Sequence, residues 1–448
     1  MDFPIFHLDF LGNRLLVAMT AILHVLINHP LAVGAYPLIT LLEWQGLRRS
    51  EPAWDGLAYR VARVVFIITT TVGALTGVGI WLTTALVAPA AIGSLLRVFF
   101  WAWFTEWLVF ITEVGLIMAY YLTWKRFASP RLKRLHVALG AALSLFSWLT
   151  MALIVAILGF MMNSGAWKEG QDFLSAVFNP LYLPQLAFRT TFAMTTAGLF
   201  VWFCLFFVTR REDPIRSDAT RLTARWTLAW LPLCGLASLW YWKQVPAAMQ
   251  AHAHVALLTQ AFSHWHRAFL GILGLTVLVI GLFALLGASR PRWLPAWALV
   301  VPFILSSWLL SHFERVREFI RKPYVIADYM YANGVRVSAL PVYQRDGMLP
   351  YATYATVKEA TASNAATAGK DVFMLACSRC HTTRGVNGVV AHFQRIQGTR
   401  PWDEEALTDF IQGMHLTRTY MPPFPGNAAE AHALAVYLKS LQPGPDTK

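Results

Sequence analysis

Charge is what this sequence has least of. Asp, Glu, Lys and Arg make up 14% of its 448 residues, against roughly 25% in an average soluble domain. With 56% apolar side chains, a mean hydropathy of +0.48 and repeated apolar runs of about 20 residues, that shortage argues against a soluble globular protein and for an all-α polytopic membrane protein. Acidic residues are the scarcer sign, 24 against 37 basic ones, for a net charge of +13. Much of the excess lies in short loops between apolar runs, which membrane topology explains better than a nucleic-acid partner. The opening "MDFPIFHLDF" lacks a basic stretch, so the first apolar run is expected to stay as a span and not to be cleaved. No internal repeat is present. There are only four cysteines. Cys204 and Cys234 fall in apolar runs and are expected to be buried thiols.

About eight helical spans are expected, at 14–42, 64–88, 96–124, 135–160, 186–209, 224–242, 262–287 and 293–313. Alternate loops are rich and poor in basic residues. Arg48, Arg49, Arg60 and Arg63 lie in one loop, Lys125, Arg126, Arg131, Lys133 and Arg134 in another, and "ALVAPAAIGS" between them has none. The pattern holds through every turn and predicts both termini outside the cytoplasm, in the periplasm of a bacterial inner membrane.

The remaining two cysteines make a motif. In "LACSRCHTTRG", Cys377, Cys380 and His381 form Cys-x-x-Cys-His, the attachment site of a c-type haem, with His381 as proximal iron ligand. Covalent haem of this type belongs outside the cytoplasm, in agreement with the loop charges. "YMPPFPGN" resembles the distal methionine loop of small class I cytochromes c, which makes Met421 the second ligand; Met414 is the alternative. "AAEAHALAVYLKSL" resembles their C-terminal helix. His392 and His415 are expected on the surface of this small α-helical domain. The divisions expected are a membrane domain at 1–324, a linker at 325–366 and a periplasmic cytochrome c domain at 367–448.

Ionisable residues within spans are costly and mark function. Here they are His24, Glu106, Glu113, the group His264, His266 and Arg267, and His312, Glu314 and Glu318. Glu106 and Glu113 are seven residues apart, on one helical face, which suits a proton path or the surroundings of a haem.

At these residues the chain resembles subunit I of the cytochrome bd quinol oxidases. "NRLLVAMTAILH" is similar to the family's first helix, and the resemblance makes His24 a ligand of a high-spin haem. "TEWLVFITEVGLIMAYYLTW" is similar to the third, whose two glutamates line the haem pocket and proton route. "LHVALGAALS" with "GFMMN", and "NPLYLPQLAFRTT", resemble the fourth helix and the start of the fifth. "REFIRKPY" is similar to the end of the eighth, which implies that Glu318 ligates the other high-spin haem and that Arg321 pairs with a propionate. The resemblance therefore implies two buried haems b, or b and d, a second membrane subunit or larger respiratory complex, and oxygen reduction.

Three departures matter. Where the family has its low-spin haem b histidine, this chain has Arg189. Arg267 is kept, but Phe269 stands where the family's methionine ligand would be. The long quinol-binding loop is missing between spans 6 and 7. One of His252, His254, His264 and His266 could still ligate a further low-spin haem b, with His136 or Met194 as partner; otherwise these histidines lie at the lipid headgroups. The function expected is electron exchange between a periplasmic cytochrome c or other redox protein and the buried haems, through haem c. The alternative is a non-catalytic electron-transfer subunit or membrane anchor.

Overall fold

The computed structural model describes residues 3–127, 129–258, 266–397 and 402–442, with backbone only for 258 and 266–269. Eight long helices carry the apolar sequence: α1 (Asn13–Arg49), α2 (Pro52–Val87), α3 (Phe100–Thr123), α4 (Pro130–Met162), α5 (Tyr182–Val208), α6 (Pro214–Gln244), α7 (His266–Ser289) and α8 (Ala296–Ile320). Among the described residues seven are apolar and long enough to cross a membrane. The exception is α6, whose first turns carry Arg216, Asp218, Arg221 and Arg225 and whose interior holds Pro232.

Helix boundaries follow local chemistry. Pro52, Pro130 and Pro214 each stand at a helix start, where the missing N–H costs nothing. Ser129 caps α4 by accepting the Leu132 N–H. The expected third span at 96–124 is broken at Phe99, with a separate helix at Pro89–Val98 before α3. The expected first two spans are longer than their apolar runs, because π turns at Asn28–Val33 and Thr69–Gly73 keep α1 and α2 continuous.

The chain forms two compact units. The larger contains residues 22–77 and 98–317. Its core is set by Tyr36, Leu38, Ile39, Trp54, Leu57, Val61, Leu143 and Trp202. In this unit α5 is mostly buried, packed along α6, whereas much of α3 is exposed apolar surface suited to lipid.

The smaller unit contains residues 1–21, 78–97 and 318–448. Its cytochrome domain has α9 (Ala365–Ala376), α10 (Val389–Gln397), α11 (Glu404–Thr417) and α12 (Ala428–Ser440). A Cβ at Gly369 would collide with the Ala433 carbonyl, so glycine lets α9 cross α12 closely. Its core includes Val372, Phe373, Leu407, Ile411, Leu434 and Leu438.

Residues 325–366, expected as a linker, are folded into this unit. They carry the end of a two-stranded hairpin of β1 (Tyr324–Ile326) and β2 (Met330–Tyr331), then a short helix at Leu340–Asp346. Met348, Leu349 and Ala352 belong to the cytochrome core. Their small, mixed composition conceals that role, because the contacts are made to α12, some 80 residues on. Glu430 of α12 is 2% exposed and accepts N–H bonds from Met348 and Leu349 at 2.8 Å. It also completes a capping box with Asn427.

The N-terminus joins the same unit. Asp9 accepts from the Thr383 N–H at 2.6 Å and from its hydroxyl at 2.5 Å. Phe10 offers its carbonyl to the Val386 N–H, and Ile5 packs on the cytochrome core. A side chain at Gly385 would collide with the Asp9 and Phe10 carbonyls. Burial raises the Asp9 pKa, but the Thr383 and His7 hydrogen bonds outweigh it and hold the carboxylate below its usual range.

Candidate functional site

The haem-attachment segment follows α9 directly. Cys377 closes that helix, its N–H bonding to the Phe373 carbonyl, and the His381 N–H bonds to the Cys377 carbonyl. The next residues form a tight loop in which Thr382 pairs with Gly388 and Asn387 takes a left-handed conformation. That conformation points the Asn387 carbonyl at His381 Nδ1, 3.2 Å away. In the tautomer that donates from Nδ1 to that carbonyl, Nε2, which has no hydrogen-bond partner among the described residues, keeps its lone pair. Burial pushes the imidazole down to about 4, so the ring is neutral at physiological pH. A neutral imidazole oriented through one nitrogen, beside two free cysteines, fits covalent haem c.

Met421 lies in the turn after α11. Its N–H bonds to the Arg418 carbonyl at 2.7 Å, and its carbonyl accepts from His415 Nδ1. His415, expected as a surface residue, therefore ties the methionine turn to the last turn of α11. His392 Nε2 donates to Asn387 Oδ1 at 2.8 Å, which braces the proximal loop.

In the membrane unit, His24 has the same arrangement as His381. Its Nδ1 faces the Gly73 carbonyl at 3.3 Å and Thr76 Oγ1 at 3.2 Å, while Nε2 has no hydrogen-bond partner among the described residues. Gly73 ends the π turn of α2, and π turns recur at functional sites because they displace one carbonyl from the helical ladder. A side chain at Gly77 would crowd the imidazole, 3.3 Å from His24 Cε1. The site fits a haem ligand.

Glu113 is 5% exposed and receives hydroxyl bonds from Ser147, and from Thr150 at 2.7 Å. Glu106, two turns earlier on α3, is half-buried without a hydrogen-bond partner among the described residues. Seven residues beyond Glu113, Tyr120 extends the same face and donates to Glu43 at 2.8 Å. Glu43 also pairs with Lys133 at 2.9 Å and His136 at 2.5 Å, and Lys133 reaches Asp55. Sequence reasoning missed this buried cluster, although the seven-residue step from Glu113 to Tyr120 was a signal for it. The second nitrogen of His136 bonds to the Tyr120 carbonyl at 2.8 Å. With both nitrogens engaged, His136 is not free to ligate a haem.

Arg189 is 2% exposed in α5. It donates to Glu314 at 2.7 Å, its other amino group lies 3.1 Å from His29 Nε2, and Arg317 holds the second Glu314 oxygen at 2.9 Å. This closed network of α1, α5 and α8 was not expected as such. His29 sits in a π turn with no sequence motif around it.

Glu318 lies at the end of α8 in the smaller unit. Both its oxygens accept from Arg321, at 2.8 and 2.6 Å, and Lys322 Nζ is 3.7 Å away. His264 and the side chains of His266, Arg267 and Phe269 lie outside the described residues.

Fold and site together define a membrane haem protein with a c-type cytochrome domain on the same chain. Residues 13–251 match the family described as cytochrome bd terminal oxidase subunit I, and residues 364–438 match cytochrome C oxidase, cbb3-type, subunit III. The chain belongs to the cytochrome bd subunit I family. Among solved structures, bd oxidase from Geobacillus thermodenitrificans is similar in fold, with a TM-score of 0.58 at 17% identity, covering 71% of this chain and 89% of that one. A search of curated proteins gives no match. The two families make the chain a multi-pass membrane haem oxidoreductase with a covalent haem c and haem of the b type.

Proposed function

We propose that this protein is the haem-bearing subunit of an oxygen-reducing terminal oxidase in which haem c takes over the electron port of low-spin haem b and the quinol loop. The observation that carries the proposal is Arg189. At the place where the resemblance puts a low-spin haem ligand, its guanidinium is locked between His29 and Glu314. An arginine has no lone pair to give to iron. Removing it from this network would leave Glu314 buried with less compensation, a costly state. The short connection between α6 and α7 supports the same reading, since it leaves little chain for a quinol loop.

In this reading His24 and Glu318 hold the buried pair, and Arg321 and Arg267 balance propionates. Haem iron supplies the one-electron and oxygen chemistry. Glu106 and Glu113 hold and pass protons, with Ser147 and Thr150 positioning the Glu113 carboxylate. His381 and Met421 ligate haem c. The membrane is the bacterial inner membrane, with both termini and the cytochrome domain periplasmic. The electron donor is a periplasmic cytochrome c or other redox protein, and a second membrane subunit completes the oxidase.

Stopped-flow reduction of the full-length protein tests the port. Reduced cytochrome c should reduce the membrane haems, a reduced quinol analogue should do so slowly, and Cys377→Ser/Cys380→Ser should lose the first reaction. Rapid quinol reduction in that variant would return the protein to the quinol oxidases. A reduced spectrum unmoved by carbon monoxide would make it a conduit and not an oxidase.

A further inference from the structure

Two of the iron ligands proposed for the smaller unit, Glu318 and Met421, are followed and preceded, respectively, by an aromatic residue, and those aromatics touch. Phe319 follows Glu318, and Tyr420 precedes Met421. Their ring centroids are 5.4 Å apart with the planes tilted by 41°, within the range of favourable aromatic contacts. Phe319 is 5% exposed, and the Arg14 guanidinium lies 5.4 Å from its centroid. The contact is therefore fixed from two sides. It links the end of α8 to the methionine turn, which the Arg418 carbonyl and His415 also hold.

We propose that the Phe319–Tyr420 contact is the electron bridge between the covalent haem and the haem held at Glu318. The inference rests on the ligand roles proposed above and adds the route between them. Electronic coupling between two redox centres decays steeply with distance, and more steeply across gaps than through bonded or closely packed atoms. From Glu318 to Met421 the path runs through two pairs of adjacent residues, several covalent bonds each, and one ring contact. The transfer is of one electron: the iron of haem c goes from ferrous to ferric as the other goes from ferric to ferrous, with no bond broken and no proton required. A contact serving only as packing would be replaced adequately by any apolar side chain of similar bulk. A bridge requires the aromatic ring.

The test is flash photolysis of carbon monoxide from the mixed-valence full-length protein, following the electron that returns to haem c in its visible absorbance band. Phe319→Leu and Tyr420→Leu keep apolar bulk at the contact, and Tyr420→Phe keeps the ring. In all three the haem c spectrum, its midpoint potential and the carbon monoxide difference spectrum should match the parent protein, which establishes that both sites are assembled. The leucine variants should slow the interhaem transfer by an order of magnitude, and Tyr420→Phe should restore it. Equal rates in the parent and both leucine variants would overturn the proposal, as would a Tyr420→Phe variant as slow as Tyr420→Leu. If the parent has both haems but moves no electron between them, the bridge fails while the ligand assignments stand. If it has no covalent haem or no carbon monoxide response, the functional reading fails as well.

Discussion

At the scale of single residues, His24 and His381 use one device in two settings. In each, a backbone carbonyl fixes Nδ1, and Nε2 is left without a hydrogen-bond partner among the described residues. The carbonyl comes from a distorted piece of backbone, a π turn at Gly73 and a left-handed Asn387. A carbonyl facing Nδ1 favours the tautomer that leaves the Nε2 lone pair exposed. Replacing His24 by Ala should remove the carbon monoxide response of the membrane haems while leaving the haem c bands intact. An unchanged difference spectrum in that variant would exclude His24 as a ligand. Both histidines could be named from the sequence, one from its motif and one from the family resemblance. The carbonyls that orient them could not, since Gly73 and Asn387 have no chemical signature of their own.

At the scale of elements, the cytochrome domain is made from more than its four helices. The segment around Met348 completes its core, and Glu430 holds that segment by accepting two backbone N–H groups, besides the one at Asn427. Replacing Glu430 by Ala leaves these donors buried or half-buried without an acceptor, which should destabilise the domain by roughly 2–3 kcal/mol. Thermal loss of the haem c absorbance measures it, and an unchanged midpoint would show that solvent replaces the carboxylate at no cost. The helix of Glu430 was legible from its apolar spacing. The binding of residues 348–349 to it was not, because hydrogen bonds to backbone N–H groups leave no trace in the partner's side chains.

At the scale of the whole molecule, the electron port proposed above predicts one haem fewer in the membrane unit than a quinol oxidase of this family carries. With Arg189 locked in its network and His136 engaged at both nitrogens, two extractable haems are expected besides the covalent one. Acid–acetone extraction and mass spectrometry of the purified protein give the count directly. A third extractable haem would require a ligand pair among the remaining histidines, and would restore a low-spin haem b to the membrane unit.

Sequence alone was sufficient for the membrane class, the helical bundle and the haem c motif. Each rests on properties that are local in the chain: runs of apolar residues, loop charge, and two thiols with a histidine at fixed spacing. The family resemblance added His24, Glu106, Glu113 and Glu318 through short ordered stretches. Tertiary structure decided which buried polar groups meet. Arg189 with His29 and Glu314, Glu43 with Lys133 and His136, and Asp9 with Thr383 are partners from distant parts of the chain. A buried charge or donor must find a counterpart or pay its desolvation, but the sequence does not say which one. That choice is made by helix packing, which brings together side chains that no local pattern relates.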